Sequence, residues 1–301
     1  MSSYTLNGFD YFSTLDSEVE NSLPSSLQIE GSPSSESTLF RLLLGTLNFK
    51  YSDYENVFVQ NVSYTKIRDI FEDNLNPDPI RAWLESEFGV LDLEFYFKKN
   101  RKNKVLFDEL LSEFSLYFVC KQKGNFTSAF LHLYRALEYM SYSFPITYAS
   151  RVTGFYSSYD TFKNFFVSKD QGQLKFFREF IMAFFDKGIL VSRTAIDTFV
   201  GDELYDKYKI KIIRKLCQEF DYHDDGSVVK IEYKNLLDFM VNLRNRYFHF
   251  QYDRGENISN INFNGELFFE ALNDKFANWL SLIYLEILTQ GVYKYNLMPT
   301  N

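Results

Sequence analysis

From about residue 103 onward, apolar positions recur at steps of three and four. Between Lys104 and Lys121 they are Val105, Leu106, Leu110, Leu111, Phe114, Tyr117 and Phe118, the period of one helix face. Gly124 interrupts the pattern. A second helix is expected from about Phe126 to Ser143, with Phe130, Leu133, Tyr134, Leu137 and Met140 as its stripe and Pro145 as its end. Two helices joined by a short glycine-containing turn predict an antiparallel hairpin. Further helices are expected over Gln173–Phe185, Asp202–Phe220, Val229–Phe250 and Glu266–Leu288. Asp221 to Ser227 reads as a turn-rich loop.

Upstream of this region the pattern differs. Residues 1–40 are acidic and serine-rich and contain no Lys or Arg. Ser32 to Ser37 reads as a loop or disordered linker, and partial disorder is expected near 17–37. Thr46–Tyr51 alternates like a strand, and Asn56–Val59 is a second strand candidate. After Pro77 and Pro79, Ile80–Phe88 reads as a short helix closed by Gly89. The expected fold is mostly α, with a helix-bundle core. An accessory N-terminal region covers 1–100, and a helical domain covers 101–295 with a helical insertion at about 146–228. No internal repeat is evident.

Composition narrows the function classes. The net charge of −8 is not that of a protein that coats nucleic acid through phosphate contacts. Any RNA handling has to occur at a local positive site. Two basic clusters exist, one at Lys98, Lys99, Arg101, Lys102 and Lys104, the other at Lys207, Lys209, Lys211, Arg214 and Lys215. Each also reads simply as a solvated helix face or loop. Aromatics make up 19% of residues. AT-rich coding and base-stacking platforms both account for that, and composition does not separate them. Cys120 and Cys217 suit reduced, buried thiols and not a disulfide framework or a four-cysteine zinc site. The N-terminus lacks a basic start followed by an apolar run, so no signal peptide is expected. No apolar stretch is long enough for a membrane span, and a cytoplasmic protein is expected.

One segment concentrates chemistry: Leu243-Arg244-Asn245-Arg246-Tyr247-Phe248-His249-Phe250. RNA carries its own nucleophile, the 2′-hydroxyl, beside each phosphate. Cleavage then needs a proton-transfer group and a cation for the phosphorane-like transition state. Histidine suits the first role and the guanidinium fork the second, and neither needs a metal. Residues five apart on a regular helix are rotated by about 140° and separated by about 7.5 Å along the axis. Arg244 and His249 would then converge poorly within one chain. A two-fold partner would complete the site, unless the helix end is irregular.

Arg244-Asn245 followed by His249 resembles the R-x4–6-H motif of the HEPN superfamily, including its polar residue directly after the arginine. The helical hairpin, motif helix and final helix resemble that family's architecture over roughly 103–290. The resemblance implies an α-helical homodimer joined through the motif helices and a metal-independent endoribonuclease without a cofactor. Arg244 would bind phosphate, His249 would transfer the proton, and Asn245 would orient one of them. Arg246, Tyr247 and Glu138 are expected around the substrate. Relatives of this kind act in phage defence and toxin–antitoxin pairs, so an antitoxin or defence-system partner is implied. The chain departs from the H-x-Y extension of one toxin subclass, because Tyr252 stands one position late.

Other readings stand beside this one. The same basic site would also serve a non-catalytic module that binds RNA, a nucleotide or a protein. The segment would equally be an ordinary basic, aromatic helix C-terminus whose arginine and histidine answer the helix dipole. Arg135 and Glu138, three apart, are expected to pair with each other unless Glu138 supports the site. His132 reads as a packed or surface histidine. The acidic turn around His223 offers a weak metal candidate.

Overall fold

A computed structural model describes residues 3–31, 33–65, 90–99, 103–151, 173–184, 190, 193–197, 203–217, 221–222, 228–249, 257–258 and 264–296. Helix accounts for 68% of the described residues, in nine helices. Two antiparallel sheets accompany them, so the fold is mostly α and not all-α.

The N-terminal region is a four-stranded meander, β1 (Tyr4–Leu6), β2 (Phe9–Ser13), β3 (Leu47–Tyr51) and β4 (Val57–Phe58), with α1 (Ser17–Ser22) and α2 (Ser35–Leu44) between β2 and β3. Both strands expected from alternation are present. The expectation for 17–37 is corrected. Ser34 caps α2 by accepting from the Ser37 amide, and Ser37 returns the bond, so the serine run is a capping box. Helix α2 is buried on all sides, and Gly45 ends it in a left-handed turn at φ 79°. The amides of Gly45 and Thr46 close back on Leu42 and Arg41, a Schellman motif that a Cβ at Gly45 would push into the Val62 carbonyl.

Arg41 ties this region together. Its side chain is 1% exposed, and it forks onto both carboxylate oxygens of Glu20 at 2.8 and 2.9 Å. It also donates to the Leu27 carbonyl, Ser13 and Thr46, so the buried charge is paired and hydrogen-bonded.

Helix α3 (Val90–Lys99) precedes the expected hairpin of α4 (Lys104–Gln122) and α5 (Phe126–Arg151). A second Schellman turn joins the pair: Gly124 at φ 73°, with Asn125 N–H bonded to Cys120 O and Gly124 N–H to Lys121 O. Helix α5 does not stop at Pro145 but runs on to Arg151. The proline removes one backbone donor, and burial of Phe144 and Thr147 on either side carries the helix through. The helix expected over 80–88 lies outside the described residues.

Helix α6 (Gln173–Phe184) and α7 (Glu203–Leu216) match expected helices, the second ending earlier. The 146–228 insertion is not purely helical. Strands β5 (Arg193–Asp197), β6 (Asp221–Tyr222) and β7 (Val228–Glu232) form a sheet in the order β5-β7-β6. Asp221 and Tyr222 are therefore strand. Residues 229–232, read as helix, alternate instead: Val229 and Ile231 are buried while Lys230 and Glu232 are not, the two-residue period of a sheet. Helix α8 (Tyr233–Phe248) starts only there, and α9 (Gly265–Asn296) closes the chain's helical core.

Helix α9 packs along α5 and reaches α3, while α2 packs on α4. One continuous aromatic core joins them, from Phe9 and Phe49 in the meander to Phe130, Phe269 and Phe276 in the bundle. Each fully buried Phe contributes about 1.5–3 kcal/mol of burial. The bundle and the meander are latched by Asp274 of α9, which accepts from Tyr64, Tyr117 and Lys121 at 2.6–2.7 Å. Among the described residues no helix is long and apolar enough to cross a membrane.

Candidate functional site

Helix α8 is aimed by its apolar stripe. Tyr233, Leu236, Leu237, Phe239, Met240 and Leu243 are buried, and Tyr233 donates to Asn278 of α9 at 2.7 Å. Asn242 donates to the Leu216 carbonyl at the end of α7. The stripe ends at Leu243, and the motif occupies the last turn beyond it.

Arg244 is half-buried. One N–H donates to Asn245 Oδ1 at 3.2 Å, and its guanidinium carbon lies 5.1 Å from the Tyr134 ring centroid on α5. Among the described residues no carboxylate pairs with it. Burial raises the Tyr134 phenol above its ordinary value, the Arg244 charge opposes that shift, and the Glu138 carboxylate adds to it. The structure thus brings Arg244, Asn245, Tyr134 and Glu138 into one neighbourhood. Tyr134 is the residue that sequence reasoning missed as Arg244's partner; only its place in the α5 stripe hinted at it.

His249 is exposed and sits just past the helix, where the backbone turns extended at φ −108° and ψ 106°. The five-residue step between Arg244 and His249 is therefore not the step of a regular helix. The Ile258 amide bonds back to the Arg246 carbonyl at 3.0 Å and fixes this exit. The next two rings are used in packing. Tyr247 meets Phe269 edge-on at 4.9 Å, and Phe248 stacks parallel to Phe130 at 5.9 Å. Tyr247, expected beside substrate, is thus a half-buried packing residue. Arg246 is not beside Arg244 but lines a separate pocket toward α7.

Arg135 does not pair with Glu138. It reaches Glu113 of α4 at 2.9 Å, and His132 contacts the other oxygen of that carboxylate at 2.8 Å. Glu113 is 2% exposed, so its charge needs both partners. Burial disfavours the charged imidazole, but hydrogen bonds to Cys120 and Glu113 outweigh it and push His132 up to about 9.

In the first basic cluster Arg101 and Lys102 lie outside the described residues, and the other three lysines are committed to their own helices. Lys98 pairs with Glu94, Lys99 covers the Phe95 ring, and Lys104 pairs with Asp108. In the second cluster Lys209 is buried, while Lys207, Lys211, Arg214 and Lys215 are exposed. Cys217 is a buried free thiol and Cys120 a half-buried one. The acidic turn at His223 lies outside the described residues. Among the described residues, no group of three or more His, Cys, Asp or Glu side chains could hold a metal ion.

No protein-family model matches this chain, and neither does any curated protein or solved structure.

Proposed function

We propose that this protein is an endoribonuclease of the HEPN type, working as a homodimer and cleaving RNA by attack of the 2′-hydroxyl on the adjacent phosphate. The observation that carries the reading is the state of Arg244. It is stacked on a buried tyrosine, oriented by Asn245 and unpaired with any described carboxylate, at the same helix end as an exposed histidine. A guanidinium held in this way is organised for an anion before the anion arrives.

In the reaction, the 2′-oxygen forms a bond to phosphorus and the bond to the 5′-oxygen breaks. His249 transfers the proton and Arg244 holds the phosphate oxygens as charge builds on them. The products are a 2′,3′-cyclic phosphate and a 5′-hydroxyl. A second copy supplies the facing Arg–His set. The exposed face of α5 supports that pairing: Leu131, Arg135, Tyr142 and Ile146 are exposed and, with the half-buried Glu138, lie on one side of the helix. Phage defence or toxin–antitoxin growth arrest in the cytoplasm is the setting proposed, with an antitoxin or a defence partner controlling activity.

The test is cleavage of single-stranded RNA in excess EDTA by the wild type, Arg244→Ala and His249→Ala. Each variant should lose roughly 10²-fold or more of the rate. Cleavage by both variants at the wild-type rate would sink the proposal. RNA binding without cleavage by the wild type would make the chain a binding module instead.

A further inference from the structure

Helix α7 carries its exposed charge on one side. Over residues 206–216 the exposed positions are Lys207, Lys211, Arg214 and Lys215, and every one is a cation. They stand at i, i+4, i+7 and i+8, so they form one stripe running about 12 Å along the helix axis. Ile212, Ile213 and Leu216 lie on the opposite side and are buried in the core. The stripe borders the end of the motif helix, because Lys211 and Lys215 of α7 and Arg246 of α8 line one small pocket. Arg246 stands two residues after Arg244.

The whole chain has a net charge of −8, so a face of four cations with no exposed acid among them does not follow from composition. Like charges three and four apart repel and cost the helix stability. The helix dipole accounts for Arg214 and Lys215 in the last turn, but its effect fades within that turn and does not reach Lys207 or Lys211. Lys207, Arg214 and Arg246 are engaged within the fold, whereas Lys211 and Lys215 have no partner among the described residues. The apolar side of α7 is used in the core, so the helix has no free apolar face to lay on a membrane.

We infer that the exposed face of α7 is a track for the phosphate backbone of single-stranded RNA, with Lys211 and Lys215 as its two direct contacts. The inference takes RNA as the substrate from the reading above and adds where the strand runs beyond the end of α8. One helical turn sets the two lysines about 6 Å apart along the axis, a step comparable to that between successive phosphates of an extended strand. Lysine is a compact charge on a flexible stem, and phosphate contacts of this kind hold a strand without reading its bases. Lys207 and Arg214 keep their places in the fold and extend the positive potential along the track. The backbone lies on the helix face and not in the pocket, so the small volume sets no limit on it.

The experiment is titration of a fluorescent single-stranded RNA carrying 2′-O-methyl groups with the full chain, read by anisotropy over a series of salt concentrations. The methyl groups remove the attacking hydroxyl, so binding is measured apart from cleavage. Lys211→Gln with Lys215→Gln should weaken binding by at least ~10-fold at low salt and lower the slope of log Kd against log salt by about 1.4, the value for two phosphate contacts on a single strand. Glutamine keeps helix propensity, so the far-ultraviolet circular dichroism should be unchanged. Lys98→Gln with Lys104→Gln removes the same charge from lysines already paired with Glu94 and Asp108, and should change affinity by less than about 2-fold. On unmodified RNA the α7 variant should raise KM and leave kcat as it is. Unchanged affinity and slope in the α7 variant, an equal loss in the control pair, or no RNA binding by the wild type would overturn the inference. A wild type that binds the methylated strand but does not cleave RNA removes the cleavage reading and leaves the track standing. Cleavage with an unchanged KM in the α7 variant removes the track and leaves that reading.

Discussion

Arg244 on α8 lies over the ring of Tyr134 on α5, 5.1 Å from its centroid, and Tyr134 is only 5% exposed. A flexible cationic side chain is thereby placed against a rigid wall. Such a stack is worth about 0.5–2 kcal/mol, depending on how dry it is. It also cuts the rotamers that Arg244 would otherwise give up on meeting phosphate.

If the stack organises Arg244 for catalysis, the ring matters more than the hydroxyl. Tyr134→Phe should leave RNA cleavage within about 3-fold of wild type, because the ring face is kept. Tyr134→Ala should lower kcat/KM by roughly 10-fold, from loss of the stack, and destabilise the fold through the cavity it leaves. Steady-state cleavage read beside thermal melting separates the two effects. An Ala variant with wild-type kcat/KM would show that the stack is only structural.

His132 predicts a pH dependence of stability. Its folded pKa is raised to about 9 against an ordinary value near 6.5. Protonation therefore favours the folded state. The contribution is fully present below about pH 6.5 and is lost as pH rises through 9. Melting temperature should fall over that window, and His132→Gln should flatten the fall. Parallel curves for the two proteins would exclude the Glu113–His132 pair as the cause. The Arg135 contact to Glu113 persists throughout, since guanidinium stays charged.

Asp274 gives the opposite sign. Burial would raise its carboxyl, but the Lys121 charge and the hydrogen bonds from Lys121, Tyr117 and Tyr64 hold it below the ordinary carboxylate value. Its contribution is present above about pH 4 and is lost as pH falls through the depressed value. Asp274→Asn should cost about 1.5–3 kcal/mol at neutral pH and reduce the acid dependence. Chemical denaturation at pH 7 and pH 3.5 reads both effects. A variant as stable as wild type at pH 7 would mean that the latch between meander and bundle is energetically idle.

The helices were legible where a single apolar stripe ran three or more turns. That is why the α4–α5 hairpin, α6, α7 and α9 stood close to their expected places. The errors fall where two periods compete or tertiary packing overrides a local signal. Val228–Glu232 alternates with period two but leads directly into the α8 stripe, so strand and helix merged into one expected helix. Pro145 is a helix breaker by local rule, yet buried neighbours carry α5 past it. The serines at 34–37 resemble a disordered linker in composition, and only their three-residue spacing encodes a capping box. At the site, Arg244, Asn245 and His249 were visible as a motif. Their surroundings were not, because Tyr134 lies far away in sequence and meets α8 only through folding.

The proposed dimer places a specific demand on α5. Tyr142 is 56% exposed and Ile146 is 65% exposed, four apart on one face of α5. Exposed apolar side chains in a contiguous row suit a partner surface. The two-fold axis would set this face against its own copy. Ile146→Glu or Tyr142→Glu should place like charges opposite each other and shift the protein to monomer mass in light scattering. Neither side chain is buried in the monomer, so the melting temperature of the isolated fold should hold. Cleavage should fall by at least ~10-fold in the same variants, since each composite site loses its second half. A wild type that stays monomeric at tens of micromolar, approximately the range where weak dimers form, and still cleaves RNA would show that one chain suffices.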